Sequence, residues 1–358
     1  MERIAFLESL SSAFGVSGAE GEVMAILDGQ LKKKFAGTRD RLGNRVYTKA
    51  GGSESPSILL AAHADEIGFT VQAVHARGYL SFLPVGSWNP LCAVGMPVRV
   101  KGKKGLVEGV IGSVPPHHQP KGGGGAVPEW QDLWIDLGAR DAQEVRDVFG
   151  VRPGDMIVPA VTFRSLADGR TLMGKAWDDR IGCAVMAEAL LRLESGKRGH
   201  PNSICAVATV QEEVGSRGAM AVADRIEADA ALILEGAPAD DFPSAADWQA
   251  QARMGRGVQI RSYDPSMIAS PGLRDFLVGL AEKERIPWQV AVRRSGGTDG
   301  GALHKAGQGV PTVVLAVPVR YAHNAVGYID LGDYEACLRL VCAACRQLSG
   351  QVLEAILD

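Results

Sequence analysis

Two adjacent carboxylates, Glu212 and Glu213, are the residues of this chain most suited to chemistry. They follow an apolar, β-rich run (203–210) and precede a Val-Gly-Ser turn (214–216). Open α/β sheets bind ligands at the carboxyl ends of their strands, so this position is typical of a binding site. Neighbouring carboxylates with no cation close in sequence repel one another, and a metal ion would neutralise them. Taken alone, a Glu-Glu pair is more often a solvated surface.

Four more polar residues occupy comparable positions. His63, Glu235 and His323 each stand at or shortly after the end of an apolar run that is typical of a buried strand. Asp178 lies at the N-terminal edge of a predicted apolar helix, where an acidic residue is also common as a cap. Parallel strands bring their carboxyl ends to one edge of a sheet. We therefore expect these four residues to meet Glu213 at that edge.

The composition of this set favours a particular kind of metal site. Two imidazoles and several carboxylates, without a thiolate, indicate a hydrolytic dinuclear site of zinc, cobalt or manganese rather than a structural zinc site. The shared ligand should be a carboxylate, because its two oxygens can span ions about 3.5 to 4 Å apart. The sequence therefore predicts a hydrolase with two metal ions.

Other histidines and cysteines give weaker signals. His117 and His118 lie in a loop rich in Pro and Gly (115–125), where surface histidines are more common than ligands. Cys342 and Cys345 have the spacing of half a zinc site, but they lack a second pair and fall in a helical pattern. Buried, reduced thiols are therefore the expected state of these cysteines.

Helical and strand patterns alternate on both sides of a different middle segment. The regular elements are predicted as helices at 4–14, 20–35, 183–193, 272–285 and 331–348, a strand pair at 40–49, and strands at 57–62, 203–210, 230–236, 288–292 and 311–317. From about 69 to 164, short alternating runs between Gly and Pro turns predict a small all-β barrel or sandwich. We expect a catalytic domain (1–68 and 165–358) interrupted by an inserted β domain (69–164).

Length and charge agree with a globular enzyme. The 358 residues exceed what one core usually organises, which favours two domains or a domain with an insertion. The formal net charge of −3, with 41 acidic against 38 basic residues, gives no indication of a nucleic-acid or membrane-surface partner. The N-terminus lacks the apolar core of a signal peptide, and no apolar run has the length of a membrane span. We expect a cytoplasmic protein.

Five motifs, in their order along the chain, resemble the tetrahedral (TET) aminopeptidases, cocatalytic zinc metallopeptidases also named glutamyl aminopeptidases or endoglucanase-like proteins. The motifs are His63-x-Asp65-Glu66-Ile67-Gly68, Gly174-Lys175-Ala176-x-Asp178-Asp179-Arg180, Gln211-Glu212-Glu213-Val214-Gly215, Gly297-Thr298-Asp299-x-Gly301 and Arg320-Tyr321-x-His323. The resemblance covers nearly the whole chain. It implies an α/β fold, in which an αβα peptidase domain with a mixed, parallel-centred sheet is interrupted by a small all-β barrel domain for assembly or access.

The same resemblance implies a metal ligand set and an assembly. Asp178 would bridge two divalent ions, zinc or alternatively cobalt or manganese. His63 and Glu235 would complete one ion, and Glu213 and His323 would complete the other. Members of the family typically form hollow homo-oligomers of twelve chains that accept unfolded peptides, so peptide substrates and a homo-dodecamer are expected here.

Catalytic roles follow from the resemblance as well. Glu212 would be the general base that takes a proton from the attacking water and gives it to the leaving amine. Asp65 would accept the second ring N–H of His63 and so fix its tautomer. Thr298 and Asp299 would contribute to substrate binding.

Two positions depart from the family pattern and keep alternatives open. Glu235 stands where the family usually has Asp, and Gly327 stands where it usually has an acid. Related carboxypeptidases and deacylases use Glu at the first position, so an N-acyl or small-amide hydrolase on the same scaffold is the second hypothesis. A catalytically silent oligomeric binding protein is the third. A glycosidase is less credible, because its carboxylate pair needs no histidine-bound metal.

The preferred substrate residue is left open by the sequence. Arg293 and Arg294 precede the glycine-rich segment 295–301 and are candidates for a pocket that accepts acidic side chains. Two adjacent arginines near a loop are more often a solvated edge.

Overall fold

The computed structural model describes residues 2–53, 56–118, 127–196 and 199–357. Most of the predicted loop at 115–125 lies outside these ranges. Its two histidines are described: His117 and His118 end a short 3₁₀ turn and are both exposed. Neither belongs to a cluster of potential metal-ligating side chains within the described ranges.

Helices of the catalytic part pack on a central sheet through buried apolar faces. The described helices are α1 (Arg3–Ser12), α2 (Gly21–Leu31), α3 (Ala142–Glu144), α4 (Trp177–Ser195), α5 (Arg217–Ala223), α6 (Pro271–Lys283), α7 (Gly300–Leu303), α8 (Leu331–Gln347) and α9 (Gly350–Leu357), of which α3 belongs to the inserted segment. The helix α4 has the most completely buried sequence, and it packs against both the sheet and α8. Its apolar residues therefore form the centre of the main core.

The strands form three groups. They are β1 (Ala36–Arg39), β2 (Arg45–Lys49), β3 (Ser57–His63), β4 (Gly68–Val74), β5 (Leu80–Val85), β6 (Pro97–Gly102), β7 (Gly105–Gly112), β8 (Trp134–Asp136), β9 (Met156–Pro159), β10 (Arg164–Ser165), β11 (Thr171–Gly174), β12 (Ser203–Thr209), β13 (Ala230–Pro238), β14 (Val258–Asp264), β15 (Met267–Ile268), β16 (Trp288–Val292), β17 (Thr312–Val319) and β18 (Gly327–Asp330). Within the described ranges, the main sheet has nine strands in the order β1-β2-β12-β3-β13-β17-β14-β15, with β16 paired to β14. A small sheet joins β10, β11 and β18.

The centre of the main sheet is parallel. The strand β3 pairs in parallel with both β12 and β13, and β13 pairs in parallel with β17. These strands are covered on both faces, which explains why they are almost continuously apolar in sequence. Their carboxyl ends therefore share one edge, as expected from the sequence, and Thr209 at the end of β12 lies in register with His63 at the end of β3.

The inserted segment is a barrel rather than a sandwich. Its strands close in the order β4-β5-β8-β7-β6-β9 around a separate apolar core that includes Phe69, Ile111 and Ile157. The predicted α/β fold with an inserted β barrel is thus confirmed.

The chain enters and leaves the barrel through paired strands. Phe69 of β4 is in register with Ile157 of β9. At Gly68, an added Cβ would lie 2.5 Å from the carbonyl oxygen of Ile157 and 2.6 Å from Cγ2 of Val16. Only glycine permits this close approach between the barrel and the catalytic part.

Several helix boundaries differ from the prediction; the helix predicted at 183–193, for example, begins at Trp177. The helix expected at 20–35 ends at Leu31. The first strand, β1, begins at Ala36 and so lies before the strand pair predicted at 40–49. The helix expected at 331–348 is confirmed as α8, and a second helix that was not predicted, α9, follows it. Between them, Asn202 donates hydrogen bonds to the carbonyls of Cys345 and Leu348, which would otherwise lack partners at the end of α8.

No single helix among the described residues has the length and apolarity to cross a bilayer. The bent pair α8 and α9, at 101° to each other, meets the length and composition criteria only when both are counted together.

A buried ion-pair network ties the N-terminal helices to the site. Glu66, directly before the barrel, accepts hydrogen bonds from Lys175 Nζ at 2.6 and 2.8 Å and from Arg180 Nη2 at 2.9 Å. Both cations also donate to backbone carbonyls of the segment that follows α1, including Ala13. All three side chains are almost completely buried. Burial lowers the pKa of Lys175 to about 8, although Glu66 opposes this effect.

Replacing Glu66 with Ala should lower the free energy of unfolding by about 3–5 kcal/mol, because two buried cations lose their counterion. Urea unfolding followed by circular dichroism measures this loss. The matched control is Glu108→Ala, which removes the partner of Arg99 in a surface pair whose acid is 77% exposed. That change should cost less than about 1 kcal/mol. Equal losses in the two variants would contradict the role given to the buried network.

Candidate active site

The polar residues singled out in the sequence converge at the carboxyl edge of the parallel strands. His63 is the last residue of β3, and Glu213 lies in the loop that follows β12. Glu235 lies within β13, which continues to Pro238. His323 belongs to the loop between β17 and β18, and Asp178 lies in the first turn of α4.

Asp178 is central in this cluster, because each of its two oxygens faces a different imidazole. Its Oδ1 lies 3.2 Å from His63 Nε2, and its Oδ2 lies 3.5 Å from His323 Nε2. His63 Nε2 is also 3.7 Å from a carboxylate oxygen of Glu235. His323 Nε2 is 3.4 Å from a carboxylate oxygen of Glu213. The arrangement consists of two His-carboxylate pairs on either side of one shared carboxylate.

The backbone at the start of α4 is not helical at Asp178 and Asp179. The sequence allowed these acids to be simple helix caps. Instead, Asp179 accepts hydrogen bonds from the backbone N–H groups of His63 and Gly182, at 3.0 and 2.9 Å. A ring nitrogen of His63 and carboxylate oxygens of Asp179 and Glu235 lie close enough together to form a possible ligand group. The same holds for His63, Asp178 and Glu213. Since both oxygens of Asp179 are engaged by backbone donors, we regard Asp178 as the shared carboxylate.

A fully buried carboxylate, Asp65, supports the opposite side of the cluster. It accepts hydrogen bonds from the backbone N–H groups of Glu212 and Glu213, at 2.9 and 3.2 Å, and from Ser17 Oγ at 2.6 Å. Its Oδ1 lies 3.4 Å from His63 Nδ1, which is an ion-pair contact rather than a well-directed hydrogen bond. Asp65 therefore holds the loop of the two glutamates as well as the imidazole.

The electrostatics of the cluster favour bound positive charge. Burial raises the pKa of Glu213 to about 8 and raises the pKa values of Glu212 and Glu235 well above their usual range. Burial alone would lower the pKa of His323, but its contacts with Asp178 and Glu213 outweigh this effect and raise it to about 10. A set of nitrogen and oxygen donors with excess negative charge fits divalent cations such as zinc, cobalt or manganese.

A cleft of about 780 Å³ opens over this cluster. Glu212 lines it, and Ser216 Oγ donates a hydrogen bond of 3.4 Å to the Glu212 carboxylate. Thr298 also lines the cleft. Asp299 is turned away into the protein, where it accepts a hydrogen bond from Thr209 Oγ1.

The charged side chains that line the cleft outside the ligand cluster are mostly basic. Apart from the ligand cluster and Glu212, the ionisable side chains known to line it are Arg261, Arg293 and Lys305. Arg261 pairs with the buried Asp264, and Arg293 pairs with Asp240. Of the two arginines noted in the sequence, Arg293 therefore reaches the cleft lining.

The two departures from the family pattern have different surroundings. Glu235 reaches the cluster despite its additional methylene. Gly327 begins β18, and a Cβ added there would lie 3.1 Å from the carbonyl oxygen of Arg320 and 3.3 Å from Cδ1 of Trp177. A side chain at this position would have to displace one of these neighbours.

Comparison with known proteins gives the family. The model of the M42 glutamyl aminopeptidase family matches residues 43–340. This chain belongs to that family. It is therefore a peptidase, which confirms the predicted class of enzyme and the resemblance drawn from the motifs. The M42 chain is 33% identical to the glutamyl aminopeptidase of Lactococcus lactis over 93% of both chains. It is 31% identical to the lysyl aminopeptidase of Pyrococcus furiosus over 86% of both chains.

Solved structures of similar proteins agree with this M42 fold. A TET aminopeptidase from a marine-sediment thaumarchaeon superposes with a TM-score of 0.96, at 38% identity and 99% coverage of each chain. The TET1 peptidase of Pyrococcus horikoshii, which can assemble into a tetrahedron or a large octahedral shell, superposes with a TM-score of 0.86 at 30% identity, over 97% of this chain and 100% of its own. A dodecameric structure, PhTET1-12s, has the same TM-score at 31% identity and covers the same shares of the two chains.

Several contacts at the site have no counterpart in the sequence predictions. Ser17 binds Asp65, Asp179 binds the backbone of His63, and the carbonyl oxygen of Ser87 lies 2.9 Å from His323 Nδ1. Asp179 belongs to a quoted motif in which it was given no role, and Ser17 lies between the predicted helices at 4–14 and 20–35. The contact of Ser87 uses a main-chain atom, which no residue type reveals.

Replacing Asp65 with Asn should weaken metal binding by about 10- to 100-fold, because the amide cannot accept all the N–H and O–H donors around it. Competition titration with a chromogenic zinc chelator measures the affinity. Ser17→Ala is a graded control, since it removes one donor but leaves both backbone bonds to the carboxylate. Wild-type zinc affinity in the Asn variant would refute this role of Asp65.

Proposed function

We propose that this M42 peptidase is a dinuclear metal-dependent aminopeptidase that hydrolyses N-terminal residues from peptides. The observation that carries the proposal is the arrangement around Asp178, whose two oxygens each face a separate imidazole with its own carboxylate neighbour. A single structural metal would not need two such pairs. The family membership supports the choice of a peptide substrate.

Five side chains would hold the ions. His63 and Glu235 belong to one, Glu213 and His323 belong to the other, and Asp178 is shared. When bound, two divalent ions supply a Lewis acid for the scissile carbonyl and lower the pKa of the attacking water. Zinc is our first choice, and cobalt and manganese suit the same donors.

Glu212 is the proposed general base. It adjoins Glu213 in sequence, lines the cleft, and is not part of either His-carboxylate pair. Burial raises its pKa well above the usual range, so its carboxylate form is a stronger base than that of an exposed glutamate. The same carboxyl group would then return the proton to the leaving amine. Asp65 keeps the backbone of Glu212 in place during both transfers.

The second candidate is an N-acyl or small-amide hydrolase with the same metal site. The observation that favours it is Glu235, which occupies the position of the usual Asp. A free amine at the substrate's N-terminus distinguishes the two functions, since an aminopeptidase requires it and an N-acyl hydrolase does not.

Replacing Glu212 with Gln should reduce kcat on aminoacyl p-nitroanilides by about 100- to 10,000-fold, because the amide cannot take the proton from water. The number of zinc ions per chain, measured by elemental analysis, should stay near two. Glu282→Gln, at an exposed site on α6, is the control and should retain full activity.

The outcomes separate the hypotheses. Turnover of N-acyl amides without turnover of free aminoacyl anilides would replace the proposed function with the second candidate. A wild-type chain that binds no divalent metal would support the silent binding protein instead. Undiminished activity of the Glu212→Gln variant would show that Glu212 is not the general base.

An acidic N-terminal residue is the proposed substrate preference. The relatives include both a glutamyl and a lysyl aminopeptidase, so family membership does not decide this point. The cationic side chains of the cleft favour a negatively charged partner. Arg261 and Arg293 are already paired with acids, whereas Lys305 is exposed and has no carboxylate within ion-pair distance among the described residues.

Changing Lys305 to Gln should reduce kcat/KM for a glutamyl anilide by roughly two- to fivefold, because an exposed ion pair contributes up to about 1 kcal/mol. The value for a leucyl anilide should not change. Lys283→Gln, at another exposed lysine, on α6 and outside the cleft, serves as the control. A preference for lysyl over glutamyl anilides in the wild-type protein would contradict the assignment.

Assembly into a homo-oligomer is also proposed. The TET1 peptidase and PhTET1-12s assemble, and their similarity to this chain supports the same behaviour. The barrel exposes large apolar side chains at Leu83, Leu91 and Leu106, which is consistent with a surface covered by other copies. Twelve copies, a role of the barrel in assembly or access, and a cytoplasmic location stay predictions.

A further inference from the structure

The loop that follows β5 connects the barrel to the site. Its residues Gly86, Ser87 and Trp88 lie between the barrel core and His323. Trp88 stacks on Phe69 of the barrel core, with ring centroids 4.8 Å apart and planes inclined by 26°. The carbonyl oxygen of the preceding residue, Ser87, lies 2.9 Å from His323 Nδ1. One short segment therefore contacts both the barrel core and a proposed ligand.

The hydrogen bond from His323 to Ser87 determines which ring nitrogen is free. A carbonyl oxygen only accepts, so Nδ1 must carry the proton that it donates. In the neutral ring, Nε2 then has the lone pair, and Nε2 is the atom that faces Asp178 and Glu213. The barrel loop thus selects the tautomer that can bind an ion on the side of these two carboxylates.

His323 has little other support. Its side chain is 36% exposed, whereas that of His63 is 2% exposed at the end of a buried strand. Its backbone has φ of +58°, in the left-handed region, within a loop rather than in a regular element. The orientation of this imidazole consequently depends on the contact with Ser87 more than that of His63 depends on any single neighbour.

The loop has no room to shift towards the site. Gly86 has φ of +80°, and a Cβ added there would lie 2.5 Å from Cγ2 of Ile67 and 3.5 Å from Cβ of Glu213. The backbone of the barrel loop therefore lies directly against the residue next to Glu212. A side chain at Gly86 would push the Ser87 carbonyl away from His323.

We propose that the Gly86–Trp88 loop is a positioning element for one of the two ion sites, the one formed by His323 and Glu213. The carbonyl of Ser87 orients His323, and the stacking of Trp88 holds this carbonyl in place. The barrel thereby controls the occupancy of that ion site and leaves the site of His63 and Glu235 unaffected. The inference depends on the proposed dinuclear site, and it assigns to the inserted barrel an effect on the ion site of His323 and Glu213 only.

The test compares Gly86→Ala with Gly95→Ala. Gly95 is another barrel glycine, with φ of +77° and no atom within 4 Å of an added Cβ, so both variants carry similar backbone strain but only the first has the steric clash. Zinc binding is measured by equilibrium dialysis and by titration against a chromogenic chelator. The Gly86 variant should keep one tight ion and bind the second about 10- to 100-fold more weakly. The Gly95 variant should bind two ions like the wild type.

A second pair of variants covers the case in which Gly86→Ala does not fold. Trp88→Ala removes the stacking on Phe69 and should weaken binding of the second ion. Trp88→Phe keeps an aromatic ring against Phe69 and should retain the wild-type affinity for that ion. Circular dichroism verifies the fold of each variant.

Several results would overturn the proposal. These are two tightly bound ions in the Gly86 and Trp88→Ala variants, equal loss of both ions, or the same loss in the Gly95 variant. Failure of the proposed function gives a different result, because the wild-type chain itself would then not bind two ions.

Discussion

The site depends on the buried carboxylate of Asp65 and the hydrogen bonds that converge on it. A charge without access to water must be compensated by donors, and Asp65 finds them in the backbone of Glu212 and Glu213 and in Ser17. These bonds join the end of β3 to the loop after β12 and to the segment between α1 and α2. The geometry of a proposed base and a proposed ligand is therefore set by a residue outside the proposed ligand set.

Much of this arrangement is predictable from sequence because its supports are parallel strands. Buried strands such as β3 and β13 appear as uninterrupted apolar runs, and the polar residue that ends each run must lie at the sheet edge. That reasoning brings His63 and Glu213 together without any structure. Barrel strands alternate instead, so the sequence indicates their presence but does not distinguish closure into a barrel from a sandwich, which depends on pairing between β4 and β9.

Other parts of the site could not be predicted, for physical reasons. The bonds from Glu212 and Glu213 to Asp65 and from His323 to Ser87 involve backbone atoms, which are the same in every residue. The direction of a side chain at the end of a strand is also not contained in its hydrophobic pattern. Thr298 and Asp299 are adjacent in sequence, yet Thr298 lines the cleft and Asp299 points into the interior.

Gly68 has a consequence for how substrates reach the site. A rotation of the barrel relative to the catalytic part would require its two connecting strands to turn about their backbone bonds. They are paired to each other, and Gly68 is packed against Ile157 and Val16 with no space for even a methyl group. The junction between the barrel and the catalytic part is therefore rigid and does not act as a hinge. Ser87, which the barrel loop contributes to the cleft lining, therefore keeps its position relative to the main sheet, without a closing movement of the barrel.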